Sequence, residues 1–159
     1  MNEPDFVVKT QRGQRYFGRF GAAGLLLIAP DRDALPTALL QRRAWWTDHG
    51  GTWGLPGGAL RRHETATDAA LREAREETGL DPAQIAVCGE IVTSRPAGTD
   101  WTYTTVLARA QTRPGIAAGP ESAELAWVPT GDVERLALHP GLAASWPRLR
   151  ALVRGCSAA

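Results

Sequence analysis

Apolar and polar positions alternate along this chain in short blocks. Arg15 to Ala29 (RYFGRFGAAGLLLIA) reads as one or two strands interrupted by glycines, ending at the turn Pro30-Asp31-Arg32-Asp33. Ala38 to Ala44 (ALLQRRA) is a further strand, Trp45 to Gly51 a loop, and Thr52 to Leu55 a short strand closed by Pro56-Gly57-Gly58. Thr65 can cap a helix, with Asp68 three residues on as an approximate capping box. The helix formers ATDAALREAREET follow, and Gly79 stands where a left-handed cap belongs, which predicts a helix over Ala66 to Thr78. Ile85 to Thr93 and Trp101 to Ala110 alternate as strands, the second with Trp101, Tyr103, Thr105 and Leu107 on one face. Glu124 to Val128 makes a last short strand before Pro129. Leu142, Trp146, Leu149 and Val153 recur at helical spacing, with Pro147 as a helix start or a kink. Strands flanking one helix, with a second helix at the end, predict an α/β/α sandwich, a mixed β-sheet between helices. No repeat, low-complexity tract or linker divides residues 1–159, so one domain is expected; the strand order is not readable from the pattern.

Composition narrows the function classes. Apolar residues make up 43% and charged residues 22% of the chain, which fits a folded domain and not a disordered one. Eighteen basic residues against 17 acidic ones leave +1, so no overall field recruits nucleic acid or an anionic membrane. The longest apolar run, Ala22 to Pro30, is far short of a membrane span, and MNEPDFVVKT does not read as a signal peptide. Cys88 and Cys156 are too few for a disulfide scaffold, so a reducing, cytoplasmic setting is expected. Lys9 is the sole lysine and lies in no glycine-rich loop, which removes a phosphate-loop lysine and a Schiff-base lysine together.

The chemistry concentrates in the central helix. Glu73, Glu76 and Glu77 fall at i, i+3 and i+4 and share one helix face. Like charges at that spacing repel, and the last turn of a helix already presents negative charge. Arg72 and Arg75 offset part of this, but a local rule broken without local gain points to function. Carboxylates with neither histidine nor cysteine among them are hard oxygen ligands, suited to Mg2+ or Mn2+ more than to zinc. His63 beside Glu64 lacks the second histidine of a zinc helix.

The surrounding stretch, GALRRHETATDAALREAREETGL from Gly58 to Leu80, resembles the Nudix box, GX5EX7REUXEEXGU, with every fixed letter in place and Ala74 at the first bulky aliphatic position as the one departure. GGTWGLPGG before it and ELAWVP after it are also similar to MutT-like proteins. The resemblance implies the Nudix sandwich and Mg2+-dependent hydrolysis of a nucleoside diphosphate linked to another group, with Mn2+ as a substitute. It implies metal ligation by Glu73, Glu76, Glu77 and the Gly58 carbonyl, with Glu64 either reaching metal or supporting the loop, and Arg72 orienting a glutamate. The general base is then a helix glutamate or a later one, Glu121 or Glu124. Arg43 resembles a phosphate-contacting arginine, and Trp45 and Trp46 are candidates to stack a nucleobase, unless one of them caps the core. His49 is expected to be an exposed loop residue without a catalytic role.

The implied partner is a small nucleotide: a (d)NTP, ADP-ribose or a nucleotide sugar. Pro96, 16 residues after Leu80, matches a spacing associated with ADP-ribose hydrolases but lies in an ordinary hairpin loop, SRPAGTD. No nucleic-acid or membrane partner is expected; the oligomeric state stays open, a homodimer included. Two other readings compete: a catalytically silent Nudix-fold nucleotide-binding module, which has no need of three crowded glutamates, and a prenyl diphosphate isomerase, which needs a reactive cysteine.

Overall fold

The computed structural model describes residues 7–156. A ribbon of β1 (Val7–Lys9) and β2 (Arg15–Phe17) precedes the main sheet. The long apolar run forms β3 (Ala22–Pro30), buried along its length up to the last residue. Then follow β4 (Pro36–Arg43), β5 (Trp53–Gly54), β6 (Gly57–Ala59), α1 (Ala66–Thr78), β7 (Ala86–Ser94), β8 (Tyr103–Arg109), β9 (Ser122–Pro129) and α2 (Pro140–Cys156). The sheet runs β5-β4-β3-β8-β7, with β6 also on β3 and β9 also on β4. β3 and β8 are parallel and the other strand pairs antiparallel, which makes the sheet mixed.

α1 begins and ends as its sequence dictates. The Thr65 hydroxyl accepts the Asp68 N–H at 3.1 Å, and Gly79 closes α1 at φ 69° with its N–H on the Arg75 carbonyl. α1 buries Ala69, Ala70 and Ala74 against Leu25, Leu27, Val106 and Ala108. These small side chains let α1 lie close to β3, so the missing bulk at Ala74 brings helix and sheet together. On the opposite face, Leu142, Trp146, Leu149 and Val153 of α2 bury against Leu26, Ile28, Leu40 and Leu107, as the helical spacing predicts. Pro147 is interior to α2, whose first residue is Pro140.

The sheet forks where the function is expected. β3 and β4 pair only at their distant ends, Ile28 with Ala38 through Pro30 with Pro36. Nearer the box, β3 pairs with β6 and β4 with β5, so residues 53–59 fill the gap between diverging strands. Pro56-Gly57-Gly58 therefore does not end the structure, as the sequence suggests: Gly57 and Gly58 continue as a ladder against Gly24 and Ala23. A side chain at Gly57 would collide with the Ala23 carbonyl, which is why glycine is needed there. Other boundaries shift as well. The run from Arg15 splits into β2 and β3 in separate sheets, Trp101 precedes β8, and β9 begins two residues before Glu124. Pro96 lies between the paired β7 and β8, as a hairpin loop requires.

The cysteines depart from expectation. Cys88 and Cys156 form a disulfide between β7 and the last residue of α2. The register of β7 against β8 shifts between Val87 and Gly89, and the bulge turns Cys88 away from the face carrying Glu90. Sequence separation hides this pairing. With both cysteines paired, they give no ground for expecting a reducing compartment. No helix of the described residues is long and apolar enough to cross a membrane.

A cross-link spanning 68 residues restricts the unfolded chain by about 2–4 kcal/mol. Dithiothreitol is therefore expected to lower the Tm of this protein by roughly 5–15 °C, and to leave the Tm of Cys156→Ser unchanged, as read by calorimetry.

Candidate active site

Arg72 is the hub of the acidic end of α1. Its Nε and Nη2 donate to the two oxygens of Glu64 at 2.7 and 2.9 Å, a bidentate pair. Nη1 donates to Glu73 at 2.7 Å, Nη2 also reaches the Ala59 carbonyl at 3.0 Å, and Glu76 lies 3.6 Å away. The Arg61 N–H adds a bond to Glu64 at 2.8 Å. The Arg72 hydrogen bonds hold Glu64 below the ordinary carboxylate range. Burial pushes Glu73 above that range against the pull of Arg72, and the charges of Glu76 and Glu121 add to the rise.

Glu77 is fixed differently. Its Oε2 accepts from the Gly57 N–H and from Gln41 Nε2, both at 3.0 Å. Burial, helped by Glu73, pushes its pKa up to about 8, while those two donors oppose the shift. Gly58 sits against Glu73: a Cβ built on Gly58 would lie 2.6 Å from the Glu73 carboxyl carbon. Glu76 is the open member, with a side chain 51% exposed and Arg61 3.7 Å away.

The later glutamates separate cleanly. The chain before β9 is pinned to the end of α1 by the Ala117 N–H on the Thr78 carbonyl and the Gly119 N–H on the Glu77 carbonyl, both 2.8 Å. Glu121, exposed in the following turn, is thereby held close enough that its charge raises both Glu73 and Glu77. Glu124 instead pairs with Arg42 across the β4–β9 ladder, 3.3 Å apart and in solvent, so it does not join the cluster.

On the other side stands the loop after β4. Arg43 Nε donates to the Asp48 carbonyl at 2.7 Å. Backbone bonds from Thr47 to Ala44, Gly50 to Thr47 and Gly51 to Arg43 lock the loop. It presents Trp45 and Trp46, 82% and 60% exposed, edge to face at 5.7 Å. Neither caps the core. Several neighbours escaped the sequence reading. His49 is exposed in that loop, as expected, and the His139 ring lies 4.7 Å from its own. Burial pushes His139 down to about 4, with His49 and Arg43 adding to the fall, and the Gly141 N–H donates to its Nδ1 at 3.0 Å. Tyr103 places its hydroxyl over Gly24, and burial together with the Glu77 charge holds it above the ordinary phenol range. Gln41 and Ser122, both buried, also stand behind Glu77. No local motif marks any of these positions, because their neighbours come from distant strands.

Among the described residues, no three His, Cys, Asp or Glu side chains converge into a closed metal shell. Glu73 and Glu76 lean on Arg72, and Glu77 leans on Gly57 and Gln41. The donor set nevertheless suits a hard divalent cation: oxygen ligands, two of them half-buried, crowded by like charge. A NUDIX domain model matches residues 18–149 of the chain. The chain belongs to the NUDIX family. It is 51% identical over 149 residues to the Mycobacterium tuberculosis protein named "Putative 8-oxo-dGTP diphosphatase 3", covering 92% of this chain and 69% of that one. It is 38% identical over 146 residues to a nucleoside triphosphate pyrophosphatase/Nudix hydrolase fusion protein of Bifidobacterium longum, covering 87% of this chain and 29% of the fusion. The crystal structure of a Nudix hydrolase from M. smegmatis, RenU, superposes with a TM-score of 0.90 at 47% identity over 95% of this chain and 96% of that one. The fold is the α/β Nudix fold, and the protein is a Nudix-family hydrolase.

Two outcomes test the geometry. Gly58→Ala is expected to push the Glu73 carboxylate, a flexible side-chain end, off Arg72 and to cost about 0.5–1.5 kcal/mol in urea unfolding, the worth of one lost hydrogen bond. With chelator present, the raised Glu77 favours the folded state while neutral, so stability declines as pH rises from 4.5 toward about 8. Glu64, held low, acts oppositely and loses its contribution as pH falls below 4.5. Thermal melts across that range should show the decline in the wild type and a flatter profile in Glu77→Gln.

Proposed function

We propose that this Nudix hydrolase cleaves the pyrophosphate linkage of a nucleoside diphosphate derivative, with Mg2+ held by Glu73, Glu76, Glu77 and the Gly58 carbonyl, and Mn2+ able to replace it. The observation that carries the reading is the placement of Glu73 and Glu77 as half-buried, like-charged carboxylates against glycine backbone, an arrangement that favours an ionised form once a cation compensates it. Bound there, a divalent ion supplies charge neutralisation for the diphosphate and acidifies a water. Arg72 keeps Glu73 and Glu76 aimed, and Glu64, spent on Arg72, serves as the support of that hub. Glu121 takes the proton of the attacking water as general base; Glu124, tied to Arg42, is set aside. Water attacks phosphorus, the bridging P–O bond breaks, and the departing phosphate carries off the electron pair. Arg43, oriented through its Nε, contacts a phosphate, and Trp45 and Trp46 stack the base.

The relative at 51% identity carries 8-oxo-dGTP in its name, which favours a purine nucleoside triphosphate over ADP-ribose or a nucleotide sugar. A phosphate-release assay with 8-oxo-dGTP, dGTP and ADP-ribose in Mg2+ tests this. Turnover of a triphosphate is expected, abolished by EDTA and lowered about 100-fold or more in Glu76→Gln and Glu77→Gln, as when transition-state charge stabilisation is removed. Nucleotide binding without turnover would overturn the enzymatic reading; activity surviving EDTA would overturn the metal.

A further inference from the structure

Glu77 is held by more than its own helix. Ser122 Oγ donates to Gln41 Oε1 at 2.8 Å, and Gln41 Nε2 donates to Glu77 Oε2 at 3.0 Å and toward the Leu55 carbonyl at 3.4 Å. The amide oxygen can only accept, so the Ser122 hydroxyl must be the donor, and the Gln41 amide has one orientation that satisfies all three contacts. Gln41 is 4% exposed and Ser122 8%, which keeps water from replacing either bond. A second donor, the Gly57 N–H, meets the same Glu77 oxygen.

The strands go out of their way to make this chain. Along β9, Leu125 faces Gln41 and Glu124 faces Arg42, yet Ser122 faces Arg43, so Ala123 is the extra residue of a bulge. Strict alternation would turn Ser122 to the face opposite Gln41. The bulge brings it back. The same residue follows Glu121 directly.

We propose that Ser122 and Gln41 are positioning residues for the cation-binding carboxylate. Gln41, oriented by Ser122, shares Oε2 of Glu77 with the Gly57 N–H and leaves Oε1, which accepts no hydrogen bond among the described residues, for the ion. This rests on the reading that the box carboxylates bind a divalent cation. Loss of either residue lets the carboxylate rotate and weakens the ion without touching substrate.

The test is Mn2+ titration of the full chain, followed by the electron paramagnetic resonance of free Mn2+, with melting temperatures recorded alongside. Ser122→Ala and Gln41→Leu are expected to weaken Mn2+ about 10-fold, and Ser122→Thr, which keeps the hydroxyl, to bind as the wild type does. The Mn2+ concentration giving half-maximal turnover should rise by the same factor, with the KM for nucleotide unchanged. If Gln41→Leu does not fold, the two Ser122 variants decide. Wild-type Mn2+ affinity in Ser122→Ala overturns the positioning role while the metal reading stands. A wild type that takes up no Mn2+ overturns the metal reading itself, and this inference with it.

Discussion

One guanidinium, that of Arg72, keeps an acidic helix end compatible with folding. Without it, Glu64 and Glu73 would stand in a partly dry corner with little counter-charge beyond the exposed Arg61. With it, Glu64 is spent on that ion pair and the Arg61 N–H, Glu73 is held by a hydrogen bond, and the Ala59 carbonyl of β6 is drawn to the same group. Helix, preceding loop and strand are thus joined at one side chain. Glu77, beyond its reach, relies on neutral donors from Gly57 and Gln41. The carboxylates therefore sit in unlike environments: one paired and low, two desolvated and high, one open to water.

That arrangement needs helix and sheet to be close. Ala69, Ala70 and Ala74 supply short side chains on the helix, and Gly24, Gly57 and Gly58 supply none on the strands. The fork between β3 and β4 then gives residues 53–59 a place in the sheet, so that the Gly57 N–H meets a carboxylate instead of a neighbouring strand. Packing and charge are here the same constraint: bulk on either surface would part the acids from the backbone that holds them.

What could be read from the chain follows from how local each feature is. α1 was legible to the residue, because Thr65, the helix formers and Gly79 lie within one short stretch. The buried face of α2 was legible from spacing alone. The acidic face was legible as chemistry because its three glutamates share a helix. The fork, the bulges near Cys88 and Ala123, and the disulfide were not, since each depends on which strands become neighbours. For the same reason Glu121 and Glu124 could not be told apart by sequence, although three residues and one ladder contact separate a neighbour of the cluster from a surface ion pair. Gln41, Ser122, Tyr103 and His139 carry no motif; their surroundings are made by tertiary structure.

The tight seam under α1 leaves no slack for adjustment where the acids sit. Under the proposed function, divergence in ligand choice would fall to the rim, to the tryptophan-bearing loop after β4 and the turn ahead of α2, where His49 and His139 touch. There a side chain can be exchanged without disturbing the alanine and glycine contacts beneath, so that on this proposal one acidic cradle would serve a drifting clientele.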